Sequence, residues 1–99
     1  MARFDVYRHP EGAGYLLDVQ ADVLAQLNTR VVVPLMVPRD APLPAARLNP
    51  VFEVEGQQVV MVTQFLAAVP SMLLAQPMAS LAVRDMEIIN AVDMVFQGF

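Results

Sequence analysis

The chain has no cysteine, no tryptophan and a single histidine, and its six basic residues are all arginines. Without cysteine there is no disulfide frame and no thiolate site. One histidine cannot form a histidine metal cage. His9 also sits beside Pro10 in a predicted turn, where a solvated imidazole is expected rather than a ligand or a base. Gly12, Gly14, Gly56 and Gly98 are the only glycines, and they form no phosphate-cradling loop. The net charge is −4 and the pI about 4.6. Too little positive charge is left to neutralise a phosphate backbone, so direct nucleic-acid binding is disfavoured and basic or arginine-bearing protein partners are favoured. The longest apolar stretch, Phe65 to Ala75, is broken by Pro70 and Ser71 and is too short to span a bilayer. The first residues lack the apolar centre of a signal peptide. A cytoplasmic chain with no membrane segment is therefore expected.

What is abundant is apolar. Hydrophobic residues make up 57% of the chain, and the mean hydropathy is +0.49. Ninety-nine residues suffice for one domain, 1–99, with a filled core and apolar surface left over, which points to self-association. Phe4 to Arg8 reads as a strand, with Phe4 and Val6 on one face and Asp5 and Tyr7 on the other. His9 to Gly14 is a turn, and Tyr15 to Gln20 is the returning strand of a hairpin. Ala21 to Asn28 fits either a short helix or a loop. Arg30 to Val37 is a near-continuous apolar run, so both faces of this strand should be covered. Pro34 within it implies a bulge, a bend or an edge. Pro38 to Pro50 is a long irregular connection with a helical turn near Ala45 to Leu48. Val51–Glu55 and Gln58–Gln64 form a second hairpin around Gly56, with Glu53 and Glu55 wet and Phe52 and Val54 dry. Leu66 to Leu74 suggests one bent strand.

Arg84 to Phe99 reads as one amphipathic helix. Ile88, Ile89, Val92, Val95, Phe96 and Phe99 share an arc suited to docking on a core. Glu87, Asn90, Asp93 and Gln97 lie opposite, with Met94 among them. Asp93 stands where the helix dipole is already negative, an unfavourable place for a carboxylate. An apolar Met94 amid polar neighbours suggests either a partner-facing surface or a lone exposed residue. Strands first and one helix last give an α+β domain, mainly β: a curled antiparallel sheet with the helix closing one side. No paired carboxylates stand out, although Asp18 and Asp22 are close in sequence. Ser71 and Ser80 have no base nearby in sequence. A non-catalytic interaction domain, not an enzyme, is expected, with no cofactor and no metal.

Several runs occur in order along almost the whole chain. They are Phe4-Asp5-Val6-Tyr7, Leu17-Asp18-Val19-Gln20-Ala21-Asp22, Arg30-Val31-Val32-Val33-Pro34-Leu35, Pro50-Val51-Phe52, Ala68-Val69-Pro70 and the segment from Ile89 to Phe99. Together they resemble the CcdB family of bacterial toxins. The resemblance implies an SH3-like barrel of antiparallel strands with a small accessory sheet and a C-terminal helix. It implies a homodimeric toxin of a type II toxin–antitoxin system that binds the A subunit of DNA gyrase, a topoisomerase, and inhibits it. It also implies a CcdA-like antitoxin whose disordered segment folds on binding, with repression of transcription and DNA contacted only through the antitoxin complex.

By position, the family's gyrase contacts fall on Val23, Leu24, Asp93, Phe96, Gln97, Gly98 and Phe99. Gln97 stands where the family commonly has a tryptophan, and glutamine forfeits a cation–π contact worth about 2 kcal/mol when desolvated. Asp93 stands where asparagine is common, and its charge can pair with the same arginine. Two alternatives accompany this expectation. One is an endoribonuclease toxin on the same barrel, for which Arg30, Arg39, Arg47 and Arg84 would have to converge. The other is a non-toxic dimer kept for antitoxin binding and autoregulation.

Overall fold

Thr29–Met36 forms the longest strand, β3, and the rest of the sheet is arranged around it. The fold is that of a computed structural model, which describes residues 2–98. Along one side of β3 runs β2 (Tyr15–Asp18), with Leu17 opposite Val33. β2 continues to β1 (Asp5–Arg8), and β1 to the short β7 (Ala79–Ser80). The other side of β3 is shared. β6 (Ala67–Pro70) pairs with Thr29 to Val32, and β5 (Gln57–Met61) pairs with Leu35 and Met36. β4 (Val51–Val54) completes the order β4-β5-β3-β2-β1-β7, with β6 branching from β3. The result is a nearly closed antiparallel barrel with one helix, α1 (Asp85–Gln97).

Pro34 sits where β3 passes from one neighbour to the other. Its carbonyl accepts from Val62 N–H at 3.0 Å, on the side away from β2. The donor that proline lacks would therefore face the junction between β6 and β5, where the ladder is already interrupted. At the 55–56 turn, Glu55 and Gly56 both have positive φ (54° and 77°). This is the two-residue loop whose twist matches antiparallel strands. Gly14 has φ +92°, and a Cβ there would lie 2.5 Å from the Leu35 carbonyl oxygen, so only glycine fits.

Both sheet faces are dry over much of their area. On one face, Val6, Leu17, Val33, Phe52, Val54, Met61, Ile88 and Ala91 belong to the main core. On the other, Tyr7, Leu16, Val32 and Leu74 form a second cluster with Val69 against it. Alternation thus places Tyr7 opposite Val6 as expected, and the 71–78 segment covers it with Leu74. Val32 and Val33 are both buried, as the continuous apolar run from Arg30 required.

Some local expectations are resolved and others corrected. Ala21 to Asn28 holds a 3-10 turn at Asp22–Leu24 followed by irregular turns. The strand expected from Leu66 to Leu74 ends at Pro70 and becomes a 3-10 turn at Ser71–Leu73. The helix buries a narrower stripe than its wheel suggested. Ile88 and Ala91 are fully buried, and Val92 packs beside them. Burying Ile88 contributes about 1.5–3 kcal/mol. Val95 and Phe96 are exposed, because only the last turn of α1, after the buried Ala91 and the core-packed Val92, stands clear of the core. The half-buried Met94 is not the exposed apolar residue that was expected; Met86 and, in the preceding turn, Val83 are. At its start the helix is held by Arg84, whose guanidinium lies 4.8 Å from the Phe52 ring centroid and donates to Glu87. That hydrogen bond holds the Glu87 carboxyl below its ordinary range.

Candidate interaction site

The chain leaves the sheet after Val19 and makes its 3-10 turn on the surface. Two hydrogen bonds from outside the turn fix its place, and a third anchors the side chain that makes one of them. Arg3 N–H donates to Asp22 Oδ1 at 2.8 Å. The Gln20 side-chain nitrogen donates to the Leu24 carbonyl at 3.1 Å. The oxygen of the same side chain accepts from Val31 N–H on β3, also at 3.1 Å. Val23 is then 87% exposed and Leu24 46% exposed. An apolar side chain presented on a pinned backbone offers contact area at low entropic cost.

Below the turn lies a buried charge pair that no spacing in the sequence announced. Arg30 Nε donates to Asp18 Oδ2 at 2.9 Å, and both side chains are essentially inaccessible. Asp18 Oδ1 accepts from Gln20 N–H at 3.0 Å. Arg30 Nη2 is within ion-pair range of Asp18, yet neither Nη atom makes a well-directed hydrogen bond. Burial pushes the Asp18 carboxyl up, while Arg30 and the Gln20 N–H pull it down. The Tyr7 hydroxyl, buried in the same cluster, is pushed up by burial and by the charges of Asp5 and Asp18. The clue in the sequence was polar character, Asp18 and Gln20, at the end of an otherwise apolar strand.

The second candidate segment is the end of α1. Asp93, Phe96 and Gln97 are three and four positions apart and so share a helical face. Asp93 is half-buried, Phe96 is 69% exposed and Gln97 is exposed. Gly98 closes the helix in the left-handed conformation, φ 80° and ψ 11°, with its N–H donating to the Met94 carbonyl at 3.0 Å. Only glycine takes this cap without strain. Phe99 lies outside the described residues. The structure thus brings Asp93, Phe96, Gln97 and Gly98 together at one end, and Val23 and Leu24 at another place. No hydrogen bond joins the two sets among the described residues; α1 packs chiefly against the 63–65 and 82–84 turns.

The four arginines do not converge on one groove. Arg30 is buried with Asp18, Arg84 pairs with Glu87, and Arg47 lines a cleft with that same Glu87 and Asn90. A different cleft, of about 240 Å³, gathers Arg8, His9, Tyr15, Arg39 and Gln57. Here Glu55 accepts from Arg8 Nη2 at 3.1 Å and from the Tyr15 hydroxyl at 3.2 Å, and burial followed by Glu55 pushes the Tyr15 hydroxyl up. Among the described residues no three His, Asp or Glu side chains gather as a metal site, and no helix is long and apolar enough to cross a membrane.

The family model described as CcdB protein matches residues 3–98. Among solved structures, the chain is similar to an endoribonuclease from a mycobacterial species, at 14% identity and a TM-score of 0.75, over 97% of this chain and 90% of that one. It is similar to the Mycobacterium tuberculosis toxin MazF-mt6, at 14% identity and a TM-score of 0.71, over 93% of each chain. It is also similar to a mycobacterial endoribonuclease solved in complex with its cognate antitoxin, at 14% identity and a TM-score of 0.75, over 97% of this chain and 94% of that one.

These neighbours overturn the expectation that the chain is not an enzyme. That expectation took the absence of a catalytic motif as the absence of a catalytic architecture. The same barrel is the fold of proteins titled endoribonucleases. A curled sheet assembles side chains far apart in sequence, as Arg8 and Arg39 are here, so no short motif need announce a site.

Proposed function

The chain belongs to the CcdB protein family, and from that membership we propose that it is the toxin of a type II toxin–antitoxin pair that binds the A subunit of DNA gyrase. In this reading residues 1–99 are a single toxin domain that works as a homodimer, wedges into an opening in gyrase and traps the cleaved complex. A CcdA-like antitoxin neutralises it and carries the pair to DNA for repression. One observation supports the reading above the rest: Val23 and Phe96, at positions that match the family's gyrase contacts, are exposed apolar side chains, one on the 3-10 turn and one on α1. Neither contributes to the chain's own core. Leu24, Asp93, Gln97 and Gly98 extend the two contact segments, and Phe99 follows them in sequence. A central aromatic anchor carries more binding energy than its area suggests. With Gln97 in place of a tryptophan, Phe96 is the aromatic side chain among the described contact residues that can fill that role.

Expression in a gyrase-sensitive cell is the test. Growth arrest is expected, and Gln97→Trp should deepen it by adding a π-face for a gyrase arginine, tightening binding by roughly tenfold or more. Normal growth with either chain would favour a non-toxic dimer instead.

A second reading is an endoribonuclease toxin. It is favoured by the neighbours' titles and by the cleft that holds Arg8, His9, Tyr15 and Arg39. Incubation with RNA distinguishes the two. Intact RNA favours the gyrase reading. Specific cuts that vanish in Arg8→Ala and Arg39→Ala favour this one.

A further inference from the structure

Gln20 is almost fully buried, and every polar atom of its side chain is used. β2 ends at Asp18, and its ladder to β3 runs one step further, through Val19 N–H donating to the Val31 carbonyl at 3.0 Å. The chain then turns away from the sheet. Val31 N–H would be left without a partner on this side, and the Gln20 side-chain oxygen accepts it at 3.1 Å in place of the next backbone carbonyl. The amide nitrogen of the same side chain reaches outward to the Leu24 carbonyl at 3.1 Å. The backbone of Gln20 is fixed from below, because its N–H donates to Asp18, which Arg30 holds in turn. One glutamine side chain thus ties an interior strand to the surface turn that displays Val23 and Leu24.

We infer that Gln20 is a positioning residue, one that fixes the height and orientation of the 22–24 turn so that Val23 and Leu24 dock together on a protein partner. The inference rests on the reading that this turn contacts the gyrase A subunit. Gln20 itself touches no partner. A leucine or methionine would fill the same volume and suit the apolar surroundings better, yet it could neither cap the ladder nor hold the turn. Asparagine is too short to reach both groups.

Two variants separate positioning from plain stability. Gln20→Met removes both hydrogen bonds. Gln20→Glu, studied at pH 8, keeps an acceptor for Val31 N–H and loses only the donor to Leu24. In both, amide hydrogen exchange at Leu24, Ala25 and Leu27 should quicken by about tenfold, the loss of one hydrogen bond in a local opening. Exchange at Val31 should quicken in Gln20→Met alone. Affinity for a soluble fragment of the gyrase A subunit should weaken by about tenfold in both, because the turn and not the sheet sets the contact. A merely structural role predicts a split between the variants instead, with affinity lost in Gln20→Met and retained in Gln20→Glu, and that result overturns the inference. Unchanged exchange over residues 22–27 overturns it as well, whether or not any partner binds. If the unaltered chain binds no gyrase fragment, the gyrase reading fails, and the exchange results alone decide whether Gln20 holds the turn. Should Gln20→Met not fold, the same comparisons on Gln20→Glu decide the matter.

Discussion

Asp18→Ala is expected to lower the stability of the fold by about 3–5 kcal/mol, because it leaves the Arg30 guanidinium buried and unpaired. Arg30 is inaccessible, and its Nε hydrogen bond ends on the equally buried Asp18. A folded domain of this size has roughly 5–15 kcal/mol in hand, so the variant should lose a large part of it. At about 4–8 °C per kcal/mol, the melting temperature should fall by tens of degrees. The double variant Asp18→Leu with Arg30→Met should recover most of the loss, since replacing a buried pair by apolar side chains of similar size is often neutral or better. Thermal melts of the single and double variants check this. A single variant within about 1 kcal/mol of the unaltered chain, the scale of a surface ion pair, would show that water reaches the pair.

Phe96→Ala is expected to cost about 2 kcal/mol of partner binding, roughly a 30-fold weaker Kd, while leaving the melting temperature nearly unchanged. The two effects separate because Phe96 is 69% exposed and stands outside both apolar clusters. Alanine is also the better helix former at that position. A Phe96→Ala chain that melts early would place the ring in the protein's own core. One that melts normally and binds as tightly as before would remove Phe96 from the contact surface. Val23→Ala, on the other segment, should behave in the same way with a smaller loss.

Parts of this fold were legible because local chemistry agreed with tertiary demand. The Tyr15 to Asp18 return, the Glu55-Gly56 turn and the dry faces of Phe52 and Val54 follow from alternation and turn residues alone. Others were legible only in outline. Pro34 announced an irregularity, but a switch of neighbours along β3 is a property of the whole sheet. The helix end misled because a wheel records periodicity and not where the barrel wall stops. Val95 and Phe96 have core-like spacing and no core to meet.

The Asp18–Arg30 pair was invisible for a related reason. The two residues are twelve apart and converge only through strand pairing. Proximity in sequence suggests Asp22 as the neighbour of Asp18, and charge alone suggests Arg30 as an arm of an RNA groove, whereas burial ties Asp18 and Arg30 to each other. The proposed contact segments came from family resemblance. Exposure adds what resemblance lacked, namely that Val23 and Phe96 face outward while Gln20 keeps one of the two segments in place.

The most direct test is a calorimetric titration of the full chain against the dimerisation domain of the gyrase A subunit. Saturable binding is expected, weaker in Phe96→Ala and tighter in Gln97→Trp, with every chain folded. An absence of binding at high concentration by chains that melt normally would contradict a gyrase-directed role.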